Sequence, residues 1–290
     1  MMLRPVPDWQ KQHVFLVAPA IWSRYRSGRS DLRPVYVGLV NAVRSMGIEP
    51  FVLTKADNPL DIWIRDWGFV ESAYFNFAPS YAKGLYGQSA LAIARSALDQ
   101  KSGTRHRSIP MILDGGNLVH DGEVAILTEK ALLDNPHLSR LEIERIIISL
   151  GFQRAVFIPT EPEDAIGHAD GIVRFLSSGE LLVNEYTCGF FADYRRRLLK
   201  TLKQAKLKAE IVPFPWFSTD EMNDGVWSAV GCYINFIQTT KGIVLPIFGD
   251  RRDERAVELL RVHNVDQICS VMATDLARQG GVLNCVTLLF

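Results

Sequence analysis

Short apolar runs that stop at proline or glycine recur along this chain, with segments of helical period between them, and few architectures accommodate that alternation. His13 to Ala18 ends at Pro19, Ala155 to Ile158 at Pro159, Ile211 and Val212 at Pro213, and Gly242 to Leu245 at Pro246. Each reads as a strand, because a brief apolar run closed by a breaker is too short for a helix. Leu39 to Met46, Leu141 to Leu150, Asp193 to Lys206 and Asp253 to His263 place apolar residues three and four apart, as the buried stripe of a helix does. The pairs within Leu118 to Leu127 and Ile172 to Val183 are too close for a crossover and predict hairpins. A plain doubly wound parallel sheet would need longer connections, so a mixed α/β architecture of repeated sheet units is expected. No low-complexity tract or linker interrupts it, which predicts a single compact domain over 1–290.

The 290 residues are 48% hydrophobic, enough to bury a sizeable core. Lys plus Arg and Asp plus Glu both number 32, so no electrostatic footprint favours nucleic acid or an anionic membrane surface. The first residues lack the apolar stretch of a secretion signal, and no run is long enough to span a bilayer, which predicts a cytoplasmic protein. Cys188, Cys232, Cys269 and Cys285 include no CxxC pair and suggest neither a disulfide framework nor zinc. The histidines show no metal spacing, and phosphate-binding glycine loops are missing, so no metal or cofactor is expected. Gly249 to Arg255 reads as the charged first turn of a helix, and the aromatic residues as core.

Four segments set acids, histidine and cysteine beside glycines or strand ends, where side chains converge on clefts. Asp61-Ile-Trp-Ile-Arg-Asp-Trp-Gly68 alternates like a strand emptying into a turn, although Asp66 alone would pass for a turn residue. Met111 to Leu113 form an apolar run that delivers Asp114 to a buried position ahead of Gly115, Gly116 and Asn117. A buried carboxylate needs a partner, and histidine is one. His168 and Asp170, framed by Gly167 and Gly171, face the same way if the segment is extended. Cys285 follows Gly280 and Gly281; a nucleophilic thiolate needs a cation or hydrogen-bond donors nearby. Any one of these is more economically read as a core or turn residue; the set is not.

The ordered series Trp63-x-Arg65-Asp66, Asp114-Gly-Gly-Asn117, Gly167-His168-x-Asp170, Tyr233-x-Asn235-Phe236 and Gly280-Gly-x-x-x-Cys285 resembles the agmatine deiminase and Porphyromonas-type peptidylarginine deiminase family across almost the whole chain. The resemblance implies the pentein fold, an α/β propeller of five quasi-repeated strand-helix units around a central acidic cleft. It also implies Cys285 as nucleophile, His168 as general acid/base and Asp114 as the acid that orients it. Asp66 and Asp170 would hold the substrate's guanidinium, with Trp63, Arg65 and Asn235 at the binding site. The implied reaction is hydrolysis of agmatine or a related small guanidino compound to a ureido product and ammonia. Peptidyl-arginine as substrate, an amine instead of water as acceptor, and a non-catalytic binding module are the alternatives; a homo-oligomer stays open. The family usually carries histidine before the catalytic cysteine, where this chain has Asn284, and the stretch Trp9 to His13 matches only in part. Both departures are expected near the substrate's tail.

Overall fold

The structure, a computed structural model, describes residues 4–22, 31–77, 87–162, 164–177, 179–187, 189–223 and 225–290; Cys188 lies outside them. The first sheet holds β1 (Val14–Val17) parallel to β2 (Phe51–Leu53), with α1 (Pro19–Trp22) and α2 (Arg33–Ser45) between them in sequence. After α3 (Ile64–Trp67), β3 (Ala73–Asn76) pairs parallel with β4 (Arg107–Ile112) across α4 (Gln88–Ser102). A hairpin of β5 (Val119–His120) and β6 (Val124–Thr128) follows, then α5 (Lys130–Leu133), α6 (Arg140–Ile148) and β7 (Arg154–Ile158), parallel to β6. The pattern recurs in β8 (Val173–Ser177), β9 (Glu180–Asn184), α7 (Ala192–Gln204) and β10 (Glu210–Phe214). A short hairpin, β11 (Met222–Asn223) with β12 (Val226–Trp227), precedes β13 (Ile237–Thr239), β14 (Gly242–Ile247), α8 (Arg252–Val262) and β15 (Ile268–Met272). After α9 (Thr274–Ala277), β16 (Leu288–Leu289) returns antiparallel to β1.

The fold is thus mixed α/β, and its parallel pairs sit in separate small sheets rather than one wound sheet. The longer helices bury one stripe each and pack between neighbouring units: Tyr194, Leu198 and Leu202 of α7 join a core that includes Val156 and Ile158 of β7, and α2 packs against β14 and β15. The expected hairpins form. Two expected strand ends do not, because β10 runs through Pro213 and β14 through Pro246. Pro213 lies on an edge strand, and Pro246 lies beyond the part of β14 that faces β13, so neither removes a needed N–H from a ladder. The segment expected as a strand into a turn at residues 61–68 instead makes the single helical turn α3. Asp61 Oδ1 accepts from the Trp63 backbone N–H at 2.8 Å and from the Trp67 indole at 2.9 Å, which closes the segment on itself.

The chain's last residues are tied to its first strand. Val14 faces Leu289, and Phe290 stacks on Phe15 at 4.6 Å. This pairing fixes the position of Cys285 a few residues upstream. No helix among the described residues is long and apolar enough to cross a membrane.

Candidate active site

Strand β4 ends at a 3-10 turn, Gly115–Asn117, that leaves Asp114 3% exposed. Asn117 ties this turn to its neighbours: its Oδ1 accepts from the Thr128 N–H at 2.9 Å and the Ala169 N–H at 3.3 Å. Thr128 donates its hydroxyl to the Gly167 carbonyl at 2.6 Å. The two glycine-framed motifs are therefore bolted together at the tip of β6. The consequence is that His168 Nε2 lies 3.0 Å from Asp114 Oδ2. On its other side, His168 Nδ1 is 3.5 Å from Asp66 Oδ1.

Gly116 makes this approach sterically feasible. A Cβ there would lie 2.6 Å from His168 Nδ1, 3.0 Å from Asp66 Oδ1 and 3.3 Å from Asp170 Oδ1. The imidazole and two carboxylates thus converge on the space a side chain would take. The Gly116 N–H donates to Asp66 Oδ1 at 3.3 Å. His168 and Asp170 share a site, but not as residues of one extended strand. Residues Ala169–Gly171 form a 3-10 turn, with His168 as its N-cap.

From the C-terminal side, Asn235 anchors the cysteine segment. Its Oδ1 accepts from the Asn284 N–H at 3.0 Å and from the Cys285 thiol at 3.4 Å, while its amide donates to the Asp170 carbonyl at 3.3 Å. Cys285, His168, Asp170 and Asn235 all line one cavity of about 470 Å³. The other expected cysteines are a buried thiol, Cys232, and a half-buried one, Cys269.

The electrostatics follow from burial among carboxylates. Burial alone would lower the His168 pKa, but Asp66 and Asp114, then Asp170, raise it to about 9. Burial, then Asp170 and Asp66, push the Cys285 thiol well above its ordinary value. At neutral pH these shifts favour a protonated imidazole and a protonated thiol, both on the same cavity. A cation entering between the carboxylates would offset the negative field that holds the proton on sulfur.

Three expected binding residues do not line the cavity with Cys285: Trp63, Arg65 and Asp66, the last of which meets it through His168. The Trp63 ring lies beneath Gly281, where a Cβ would come within 2.5 Å of it. Arg65 points away: its Nη2 donates to Asn284 Oδ1 at 2.9 Å, and it lines a separate cavity of about 20 Å³ with Asp8, Glu71 and Arg174. Asn284, expected near the substrate's tail, instead donates from Nδ2 to Asp170 Oδ2 at 2.6 Å, at the carboxylate end of the site.

Most aromatic residues lie in the core as expected, Phe191 and Trp216 among them, but these two together with Phe190, Phe217 and Trp227 also line the cavity that holds Cys285. Residue type could not mark them, because an aromatic ring reads as core until something hollow is seen beside it. Glu161 also lines this cavity; burial and its neighbour Asp164 push its acid up to about 8.

The profile of the family described as Porphyromonas-type peptidyl-arginine deiminase matches residues 17–289. The agmatine deiminase of Pseudomonas aeruginosa (strain UCBPP-PA14) is 30% identical over 298 residues, covering 91% of this chain and 78% of that one. The structure of the agmatine deiminase of Enterococcus faecalis superposes with a TM-score of 0.75 at 18% identity, covering 99% of this chain and 95% of that one. A DDAH from Pseudomonas aeruginosa, complexed with citrulline, superposes with a TM-score of 0.57 at 13% identity, covering 97% of this chain and 100% of that one.

Proposed function

The chain belongs to the Porphyromonas-type peptidyl-arginine deiminase family, and from that membership we propose that it is a cysteine-dependent deiminase of a guanidinium substrate, agmatine or a related small guanidino compound. The observation that carries the reading is the meeting of Cys285, His168 and Asp170 on one cavity, with Asp66 and Asp114 on opposite sides of the imidazole.

The chemistry follows from these positions. A guanidinium is a poor electrophile because its charge is spread over three nitrogens, and it stays protonated at any physiological pH. Asp66 and Asp170 take its N–H groups, which fixes its plane and directs the central carbon toward Cys285. Its charge allows the thiol to lose its proton to solvent, since His168 is already protonated. The Cys285 sulfur then bonds to the carbon. Imidazolium of His168 gives its proton to the departing nitrogen, ammonia leaves, and an amidino-thioether remains on Cys285. Water, deprotonated by the now neutral imidazole, attacks the same carbon; the sulfur departs and the ureido product is released. Asp114 acts by holding the ring, since it reaches only Nε2.

The proposal extends to architecture. Five sheets with a helix-spanned parallel pair suit a propeller of five strand-helix units over 1–290, with the site at its centre. A cytoplasmic metabolic enzyme is part of the same reading. A second substrate class is favoured by one observation: about 470 Å³ suits a ligand larger than a four-carbon amine, such as an arginyl peptide.

Agmatine, free arginine, methylated arginines and arginyl peptides screened for ammonia and ureido product test class and substrate together. Cys285→Ala is expected to abolish ammonia release while leaving the melting temperature nearly unchanged, and full turnover by that variant would remove the nucleophile assignment.

A further inference from the structure

Asn284 stands between two buried groups of opposite charge. Its Oδ1 accepts from Arg65 Nη2 at 2.9 Å, and its Nδ2 donates to Asp170 Oδ2 at 2.6 Å. Arg65 Nε also leans on the Asn284 carbonyl at 3.4 Å. Asp170 and Asn284 are at most 2% exposed, and Arg65 is buried as well. The amide has one workable orientation. Reversed, its oxygen would face a carboxylate and its NH₂ a guanidinium, and both contacts would be repulsive. Its backbone is held as well, through the N–H donated to Asn235.

Arg65 carries the same chemical group that this site is read to bind. A buried arginine and aspartate within reach of one another normally form a direct, often bidentate pair. Here a single neutral amide separates them. We propose that Asn284 is a positioning residue that keeps the internal guanidinium of Arg65 off Asp170, so that this carboxylate stays oriented and available to the guanidinium of the substrate. This rests on the reading of Asp170 as part of the substrate clamp. The amide serves because it satisfies one oxygen of Asp170 without adding charge, leaving the other oxygen and the full negative charge for the incoming cation. Removing the amide would free Arg65 to swing onto Asp170 and act as a tethered competitor.

The test measures KM and kcat for agmatine and, independently of turnover, the Kd of methylguanidine by calorimetry. Melting temperatures report folding. Asn284→Ala is expected to raise KM and Kd by about tenfold or more, the loss of a charge-assisted hydrogen bond plus competition, with kcat changed far less. Adding Arg65→Gln removes the competitor, and the double variant is expected to recover most of that loss. A residue that merely supports the fold predicts the reverse, with the double variant worse than the single one. Asn284→Asp is nearly isosteric and tests the idea should the alanine variants fold poorly. It keeps the acceptor for Arg65 but turns the donor toward Asp170 into a negative charge, so KM and Kd should again rise about tenfold. A double variant that binds no better than Asn284→Ala, or wild-type KM and Kd in Asn284→Asp, overturns the proposal. Asp170→Asn separates the two readings. If it leaves methylguanidine binding intact, the clamp itself is misplaced; if it abolishes binding while the Asn284 variants behave like wild type, only the role of Asn284 falls.

Discussion

Gly116 is the residue at which the chemistry and the backbone compete for the same space. Its absent side chain is what lets His168, Asp66 and Asp170 approach one point, so Gly116→Ala would push a methyl to 2.6 Å from the imidazole. None of the three neighbours is an expendable tip of a flexible chain. We expect kcat/KM to fall by about a hundredfold, the cost of misplacing reacting groups by an ångström or less, with a stability loss of about 1–3 kcal/mol from overpacking. Steady-state kinetics and a melting curve on the same preparation check both, and near-normal kcat/KM would mean that the convergence over Gly116 is not needed for turnover. At this scale much of the site was legible. Asp114, His168 and Cys285 announce themselves because carboxylate, imidazole and thiol are costly to place among glycines and apolar residues without a use. Arg65, Trp63 and Asn284 were harder, because residue type does not say which side of a turn a side chain leaves from. The contact of Arg65 with Asn284, 219 residues away in sequence, and the hydrogen bonds from Asn284 to Asp170 and Asn235 place both side chains, and none of these contacts is visible in local sequence.

Among the elements, α6 illustrates how local chemistry starts a helix. Ser139 at its N-cap accepts from the Glu142 N–H, and the Glu142 carboxylate accepts from the Ser139 N–H at 2.7 Å, a reciprocal capping box. Ser139→Ala removes half of it and should cost about 1 kcal/mol, lowering the melting temperature by roughly 2–4 °C with unchanged kcat/KM. A calorimetric scan checks this, and no shift would mean that water replaces the cap at no cost. The helices and hairpins could be read from the sequence because their periodicity is strong and their breakers are local. The turn α3 could not. Its apolar and charged residues alternate as in a strand, and what overrides the pattern is one carboxylate, Asp61, taking two N–H groups from within the same segment.

For the whole molecule, the buried imidazolium links the site to stability. His168 titrates near 9 when folded, against an ordinary value of 6.5. Its contribution, on the order of 3 kcal/mol, is fully present below pH 6.5 and is lost as pH rises through about 9. Wild-type melting temperature should therefore fall between pH 7 and 9.5 more steeply than that of His168→Gln. Parallel curves for the two proteins would show that the ring is neutral in the folded state. The same global view explains how distant segments build one site: β16 pairs with β1, joining the two ends of the chain and setting Cys285 beside Asn235 and Arg65. The sequence by itself determined the period of strand and helix, the hairpins and which groups are candidates for the chemistry, because these depend on residue type and on neighbours a few positions away. The tertiary structure alone decided which side chains face the cavity, that aromatic rings wall it, and that an amide separates Arg65 from Asp170. Those outcomes depend on contacts between residues scores of positions apart, and local pattern carries no information about them.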